Sequence, residues 1–472
     1  MTALQIAAIL LLWNGQPPTT AASAATTAAA ATATATVTTT AAHTTRTAAT
    51  RDLETRAETR AETVLQLSDA IEIASALNEV PQMAEARVAR ARAVRREAWA
   101  QLFPRLVASG SYTRRTETLS REITPGQTIV MQQKNALAGN ITLSVDVVDA
   151  RALAALSATG HSLESESYEA QEAKRLLSFE VAETFYASVL ADLMVEAAQH
   201  RLDATHASVD EATARLQAGL AARNEATRTE LELASAELSM TDAKSNLEST
   251  HLALEYLLGE RLNEREPHIT LSRDFSVPSQ RPAELVEVAL AERLDLRALV
   301  ARRDEIDVRR KIPLLAALPR VGVQGVLTAS NEVGFSGKEV DGIVQGLLTW
   351  ELFDGGSRYA ERDALSAELE IAQLTLQAMR RQVRLEVEQS VLQYRRAYAA
   401  HAQAETRHRI AKINAEEVRV LFSGGLSTAL ERVDSLLAEF EAELEVARTK
   451  IGLLLAELGI RHATGASAVL DP

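Results

Sequence analysis

From residue 69 onward the chain switches between two hydrophobic periods, 3.6 and 2, and it makes the same switches twice. Apolar residues recur at helical spacing over 69–101, as Ile71, Ala74 and Leu77 and then Val88, Ala91, Val94 and Ala98, which predicts a helix of about 30 residues. The helix is predicted to stop ahead of Pro104, because the residue before a proline is pushed out of the αR region. A counterpart over 284–316 stops ahead of Pro319. Alternating stretches follow, about 105–113 with 139–148, then about 320–328 with 342–353. Long helical patterns come next, 150–217 and 357–421. Each leads through a glycine turn into a shorter helix, 223–258 or 427–458, expected to end where Gly259 or Gly459 supplies a left-handed C-cap.

Self-comparison gives these switches their meaning. "AQLFPRLVASGSYT" (100–113) returns as "LAALPRVGVQGVLT" (315–328), aligning Pro104 with Pro319. "LSVDVVDARAL" (143–153) returns as "LTWELFDGGSR" (348–358), aligning Asp149 with Asp354, and the two helix-to-helix turns align Gly219 with Gly425. The expected division is a leader (1–24), an Ala/Thr-rich disordered segment (25–64), a first repeat (65–259), an irregular link holding Pro267, Pro278 and Pro282 (260–283), a second repeat (284–460) and a tail (461–472).

At 1.5 Å per residue the long helices would each reach about 100 Å, several times the width of a compact domain. Such helices need lateral partners along their length. In 150–217 a seam is visible: Val195, Leu202, Val209 and Leu216 recur every seventh residue with Ala198, Thr205 and Ala212 between them.

The strands separate a wall from a rod. In 320–328 one face carries Val321, Val323, Gly325 and Leu327; in 342–352 one face carries Val344, Gly346, Leu348, Trp350 and Leu352; in the first repeat Ile141, Leu143, Val145 and Val147 oppose Thr142, Ser144 and Asp146. Strands of this length, apolar on one face and polar on the other, suit a tilted crossing of an outer membrane. Four strands cannot close a barrel, and an open edge in hydrocarbon leaves backbone groups unpaired. Two copies would give eight strands and a filled lumen; three would give twelve and room for water, which the polar faces favour. Two soluble hairpins capping a helical bundle is the alternative.

Composition narrows the function. The chain is 46% hydrophobic but only 4% aromatic, with much alanine, which suits thin helical packing. A formal charge of −14 excludes nucleic acid as a partner. The absence of cysteine removes disulfides, thiolate metal sites and a lipidated N-terminal Cys. No stretch is long and apolar enough for a spanning helix. The apolar run Ala3–Trp13 followed by Ala22-Ser23-Ala24 reads as a secretory signal without the usual basic residue in front. His200 and His206 are six apart and His401 and His408 seven, so neither pair has the i, i+4 spacing of a helical zinc site. No cofactor or catalytic set is expected. Arginine clusters precede both hairpins (Arg87, Arg90, Arg92, Arg95, Arg96; Arg302, Arg303, Arg309, Arg310, Lys311); tunnel lining, lipid phosphate contact and plain solvation all remain open for them.

The duplicated helix–β-hairpin–helix–helix order, the proline opening each hairpin, "W-x-L-F-D-G-G" after the fourth strand and the glycine-led last helix together resemble the TolC-like outer membrane efflux protein family over residues 65–460. The resemblance implies a mainly α fold with β: a homotrimer with a twelve-stranded transmembrane β-barrel in outer membrane lipid, continued by a long periplasmic α-helical barrel. It also implies docking to a periplasmic adaptor protein and an inner-membrane transporter, in efflux or type I secretion. It places Glu431 and Asp434 at the periplasmic aperture, where stacked carboxylate rings would raise one another's pKa; two solvated acids at a helix start is the alternative. The turns holding Ala218, Gly219 and Leu220, and Gly424, Gly425, Leu426 and Ser427, are the expected adaptor contacts. Pro104, Asp149, Pro319, Trp350, Asp354, Gly355 and Gly356 mark the strand–helix junctions. A soluble or filamentous coiled-coil scaffold is the competing reading.

Overall fold

The computed structural model describes residues 64–124, 127–219, 222–262, 266–267, 281–332 and 338–468. The leader, nearly all of the Ala/Thr segment, and Leu220 lie outside the described residues.

Two short helices, α1 (Leu67–Leu77) and α2 (Glu79–Ala100), stand where one was expected. The break is at Asn78, extended at ψ 145°, whose side chain accepts from Val80 N and donates to Leu257 O, both at 2.9 Å. Asn followed by Glu79 and Pro81 is an N-cap signature that the apolar periodicity runs straight through. The counterpart is divided more: α5 (Pro282–Glu292), α6 (Leu294–Arg309) and the single turn α7 (Ile312–Leu315), interrupted at Arg293 and at Arg310–Lys311. The link between the repeats is also less irregular than expected. Glu266–Pro267 (β6) pairs in parallel with Val64–Leu65 (β1), and Leu262 is buried.

Strands β2 (Arg105–Arg114), β5 (Asn135–Val148), β7 (Arg320–Ser330) and β8 (Val340–Thr349) form one antiparallel sheet in the order β2-β5-β7-β8. Between β2 and β5 lies a hairpin the periodicity did not announce, β3 (Leu119–Thr124) with β4 (Gln127–Gln132). β8 stops at Thr349, short of the expected 353.

The helical layer consists of α3 (Ala150–Gln217), α4 (Arg223–Leu258), α8 (Ser357–Ser423) and α9 (Ala429–Thr464). They pack in a row, α4–α3–α9–α8, and nearer the sheet the row becomes α2–α3–α6–α8. The seam in α3 is real but inverted in emphasis. Its small residues Ala198, Thr205 and Ala212 are the buried ones, and Ala198 packs against Met240 and Ala243 of α4 with Val195 and Leu202 flanking. Small side chains let the helix axes approach closely, so the large ones pack from the sides.

Midway along the helices, the chain builds its thickest core. Phe185 and Tyr186 of α3, Leu254 and Leu258 of α4, and Ile451 and Leu458 of α9 are almost fully buried together with Leu65 and Ala74. A second cluster joins Val383, Val387 and Val391 of α8 to Val286, Leu296 and Ala463. The last helix does not end at Gly459: it continues to Thr464 and is capped by Gly465 in the left-handed region. The segment expected to be a tail therefore closes this core, with Ala468 buried.

Arg293 locks the closure. Its side chain is 5% exposed, and its guanidinium donates to Asp295 at 2.7 Å, Glu386 at 2.5 Å and the carbonyl of Ala463 at 3.3 Å. Burial alone would lower its pKa; the two carboxylates outweigh that and raise it. Replacing Arg293 with Met leaves two carboxylates facing a buried apolar group, so we expect a loss of about 3–5 kcal/mol. The check is a lower midpoint in chemical denaturation of the detergent-solubilised protein, with Arg297→Met, on the surface, as control.

Candidate functional site: an unclosed sheet and two helical tips

Register across the sheet sorts its side chains into two faces. Leu106, Leu143, Gly325 and Val344 stand in one row, and Ala108, Ile141, Leu327 and Gly342 in the next. On the opposite face the rows are Arg105, Ser144, Gln324 and Gln345, then Val107, Thr142, Val326 and Ile343, then Ser109, Asn140, Thr328 and Asp341, so polar rows there flank a mostly apolar one. Gln345 donates to Gln324 across the strands at 3.1 Å. The apolar face is bare, with Val344 81% and Leu106 61% exposed. The outer edges of β2 and β8 have no strand beside them among the described residues. The sheet thus has one apolar face, a more polar opposite face and two edges open among the described residues.

Each strand is aimed by its junction with a helix. Pro104 and Pro319 immediately precede β2 and β7. Asp149 caps α3, accepting from Arg151 N at 2.9 Å and Ala152 N at 3.3 Å. At the second exit Trp350 has left the strand, and its indole Nε1 donates to Ala317 O at 2.9 Å, tying the end of β8 to the start of β7. Gly355 (φ 71°) and Gly356 (φ 91°) then turn the chain through conformations that residues with a Cβ avoid. Asp354 holds the turn, accepting from Gly356 N (3.0 Å), Arg358 N (3.0 Å) and Arg358 Nε (2.9 Å). Partial burial opposes ionisation of Asp354, but these donors outweigh it and hold its pKa below the ordinary range.

At the far end, the α8–α9 turn is a Schellman motif: Leu426 N donates to Leu421 O (2.8 Å) and Gly425 N (φ 72°) to Phe422 O (3.0 Å). Gly424 is the C-cap and Leu426 is 80% exposed. The α3–α4 turn has Ala218 as C-cap and Gly219 at φ 71°. Arg215 joins the two turns: it donates to Phe422 O at 3.2 Å and lies 4.5 Å from the Phe422 ring centre. Sequence reading missed this clamp, since nothing local marks Arg215 apart from the other arginines.

The two acids expected at an aperture, Glu431 and Asp434, differ from each other. Glu431 is the N3 member of a capping box: it accepts from Thr428 N (2.8 Å), Ser427 Oγ (2.7 Å) and Thr428 Oγ1 (3.1 Å). Those donors, the Thr428 backbone first, lower its pKa. Within one subunit this is opposite to the rise expected from facing carboxylates, because the cap uses the charge locally. Asp434, one turn on, is exposed.

A further feature went unread. Between the α3–α4 and α8–α9 hairpins lies a cavity of about 340 Å³ lined by His200, Arg201, His408, Lys412, Glu439 and Phe440. Arg201 pairs with Glu232 and stacks 5.1 Å from Phe440. His200 and His408 were compared only with histidines of their own helices, whereas the fold brings them to one cavity. No cluster of potential metal ligands occurs among the described residues.

Thin helical hairpins hung from an amphipathic, open-edged sheet define a subunit of a channel wall. The sequence profile of the outer membrane efflux protein family matches residues 70–260 and 285–466, and the chain belongs to that family. The two matched segments correspond to the two passes through the same element order. In structure the chain is similar to CusC, with a TM-score of 0.74, 16% identity and coverage of 85% of this chain and 92% of that one. It is similar also to the CmeC outer membrane channel of Campylobacter jejuni (TM-score 0.73, 16% identity, 86% and 87% covered). The outer membrane protein VceC of Vibrio cholerae gives a TM-score of 0.72 at 19% identity, with 85% and 97% covered. No match was found among curated protein sequences. No helix among the described residues is long and apolar enough to cross a membrane.

The Asp354 turn makes a pH prediction with a definite sign. Because its folded pKa is depressed, its contribution is present above the ordinary carboxylate pKa and lost as pH falls through the lowered folded value. We expect acid to weaken the β8–α8 junction of the wild type, and Asp354→Asn to flatten that acid limb while lowering stability at neutral pH. Thermal melts of the purified protein between pH 3 and 7 would check it.

Proposed function

We propose that the chain is the outer-membrane exit duct of a tripartite efflux pump or type I secretion system. It works as a homotrimer that carries cargo passively from the periplasm or pump to the exterior. The observation that carries this reading is that both layers run out of partners at the same two margins. β2 and β8 are the edges of the sheet, α2 with α4 and α8 the edges of the helical row, and short connections join α2 to β2 and β8 to α8. A neighbouring copy that pairs its β2 with β8 also brings its α4 beside α8.

The chain directions suit this closure. β8 runs toward the helices and β2 away from them, so the new strand pair is antiparallel like the rest. The helix edges are prepared too. Leu231, Leu238 and Leu252 of α4 and Leu385, Leu392, Ile413 and Val420 of α8 lie at heptad intervals and are all more than half exposed in the single chain. Three copies of four strands make a barrel of twelve, wide enough for the polar rows to face water; the helices continue it as a periplasmic tunnel.

The tips at Ala218, Gly219 and Leu220, and at Gly424, Gly425, Leu426 and Ser427, would ring the periplasmic mouth and meet the hairpin of an adaptor protein, which links the duct to an inner-membrane transporter. Glu431 and Asp434 line the aperture. Glu431 is tied into its cap, so Asp434 supplies the larger share of mobile negative field and favours cations.

The test is twofold. A heat-modifiable trimer in the outer-membrane fraction is the expected state, and a soluble monomer would overturn the reading. In planar bilayers the wild type should be cation-selective, with Asp434→Ala reducing selectivity several-fold and Glu431→Gln reducing it less; equal selectivity in all three would remove the aperture assignment.

A further inference from the structure

The two arginine clusters ahead of the hairpins look alike in sequence and are treated differently by the fold. In the second repeat the cluster is neutralised within the subunit: Arg302 pairs with Glu305 at 2.6 Å, Arg303 with Asp304 at 2.6 Å, and Arg310 and Lys311 with Asp307 at 2.8 and 2.7 Å. In the first repeat Arg87, Arg90, Arg92, Arg95 and Arg96 are all exposed and make no ion pair among the described residues. A concentration of uncompensated guanidinium charge on one edge helix calls for an anionic partner.

The exposed surface of α2 shows what kind. Only Pro81, Ala84, Val88 and Ala98 face the subunit's own interior. A second stripe, offset around the helix, reads Val80, Met83, Arg87, Arg90 and Val94, with Val80, Met83 and Val94 41%, 54% and 43% exposed. Its spacing of three and four residues belongs to a helix packed along another helix. The first half of α8 carries the complement. Leu369, Leu376, Val383 and Val387 are buried inward, while Ile371, Leu374 and Leu385 are 65%, 57% and 54% exposed outward. Asp363 and Glu370, also exposed, lie eleven and four residues before Leu374 and so continue its side of that outward stripe.

Charge and height agree when the helices are set antiparallel. Counted at 1.5 Å per residue from their sheet-side ends, Arg96 to Arg87 lie about 6 to 20 Å down α2, and Asp363 and Glu370 about 9 and 20 Å down α8. Lower still the signs reverse together, with Glu79 about 32 Å down α2 and Arg381 about 36 Å down α8.

We infer that the basic stripe of α2, with Arg87 and Arg90 at its centre, is the upper inter-subunit seam, taken by the acidic stripe of α8 at Asp363 and Glu370 of a second copy of this chain. The inference rests on the trimer reading and adds to it a specific charge register. That register admits only a neighbour in the correct order and direction, since pairing α2 with α2 would set arginine against arginine.

The natural lack of cysteine makes the test clean. In full-length protein in outer membranes, the double variant Arg90→Cys/Glu370→Cys treated with a short bis-maleimide should give covalent dimers and trimers on denaturing gels, as should the lower-seam pair Leu231→Cys/Ile413→Cys. Separately, Arg87→Glu/Arg90→Glu should reduce the heat-resistant trimer at least several-fold, and adding Asp363→Arg/Glu370→Arg to the same chain should restore it. Crosslinking of the lower pair without the upper pair would overturn this inference and leave the trimer standing, with lipid phosphate then the partner of the arginines. Upper crosslinking with no effect of charge reversal would overturn the electrostatic register. No crosslink at either pair, with monomer on native gels, would overturn the trimer reading itself.

Discussion

The backbone of an edge strand sets the terms for everything else in this protein. β2 and β8 each present a line of N–H and C=O groups to whatever lies beyond the sheet, and in the apolar surroundings that the sheet's bare apolar face would suit, water could not satisfy them. The only remedy that uses the same geometry is another strand. If identical neighbours close the sheet, as in the trimer proposed above, the helical layer is constrained as well, because short connections join β8 to α8 and α2 to β2. The helices must then meet at the same margins as the strands, or one layer would be strained to close the other.

Inside the subunit, side-chain size follows position in the row. The middle helices α3 and α9 use alanine, threonine and a few large residues at the thick central core, so adjacent helices approach closely. The margins keep leucine, isoleucine and valine on surfaces that a lone chain leaves in water. An apolar fraction of 46% with so few aromatics thus goes with apolar surface spread along the margins rather than gathered in one globule. Buried charge is placed by the same logic. Arg293 with Asp295 and Glu386, and Arg175 with Glu172 at 2.6 Å, lie where several helices converge, and each cation has its anion within the subunit.

Periodicity made the long elements legible. The helices at 150–217 and 223–258 end where the sequence said they would, because Asp149 and Gly259 are a cap and a stop written in single residues. Breaks that leave the apolar period intact were not legible from that period: Asn78 carries a local N-cap signature and is fixed by a tertiary hydrogen bond, whereas Arg293 interrupts its helix through a buried ion cluster that has no local signature. Gly459 misled for the converse reason. Glycine permits a stop without requiring one, and burial of Ala463 and Ala468 in the two cores favours carrying the helix on to Gly465. Of the site residues, Gly355 and Gly356 of the Asp-Gly-Gly turn stand at the positive φ that their sequence suggests, whereas the different situations of Glu431 and Asp434 became visible only with the Thr428 capping box.

The hairpin ends show how the two repeats are kept in step before any neighbour arrives. Arg115, just past β2, pairs with Glu332, just past β7, and Glu332 also accepts from Gln133 N at 2.7 Å. Asn331 adds a bond from its Nδ2 to Asn135 O at 3.0 Å and accepts from Leu137 N at 2.8 Å. The Arg115 guanidinium first, and then the Gln133 N–H, hold the Glu332 carboxyl below its usual pKa. A one-residue slip between β5 and β7 would exchange apolar and polar faces over half the sheet. Polar contacts placed where the strands leave the sheet oppose that slip without putting charge on the apolar face. The register that sorts apolar from polar side chains is therefore set within one chain, while any closure of the sheet is left to its margins.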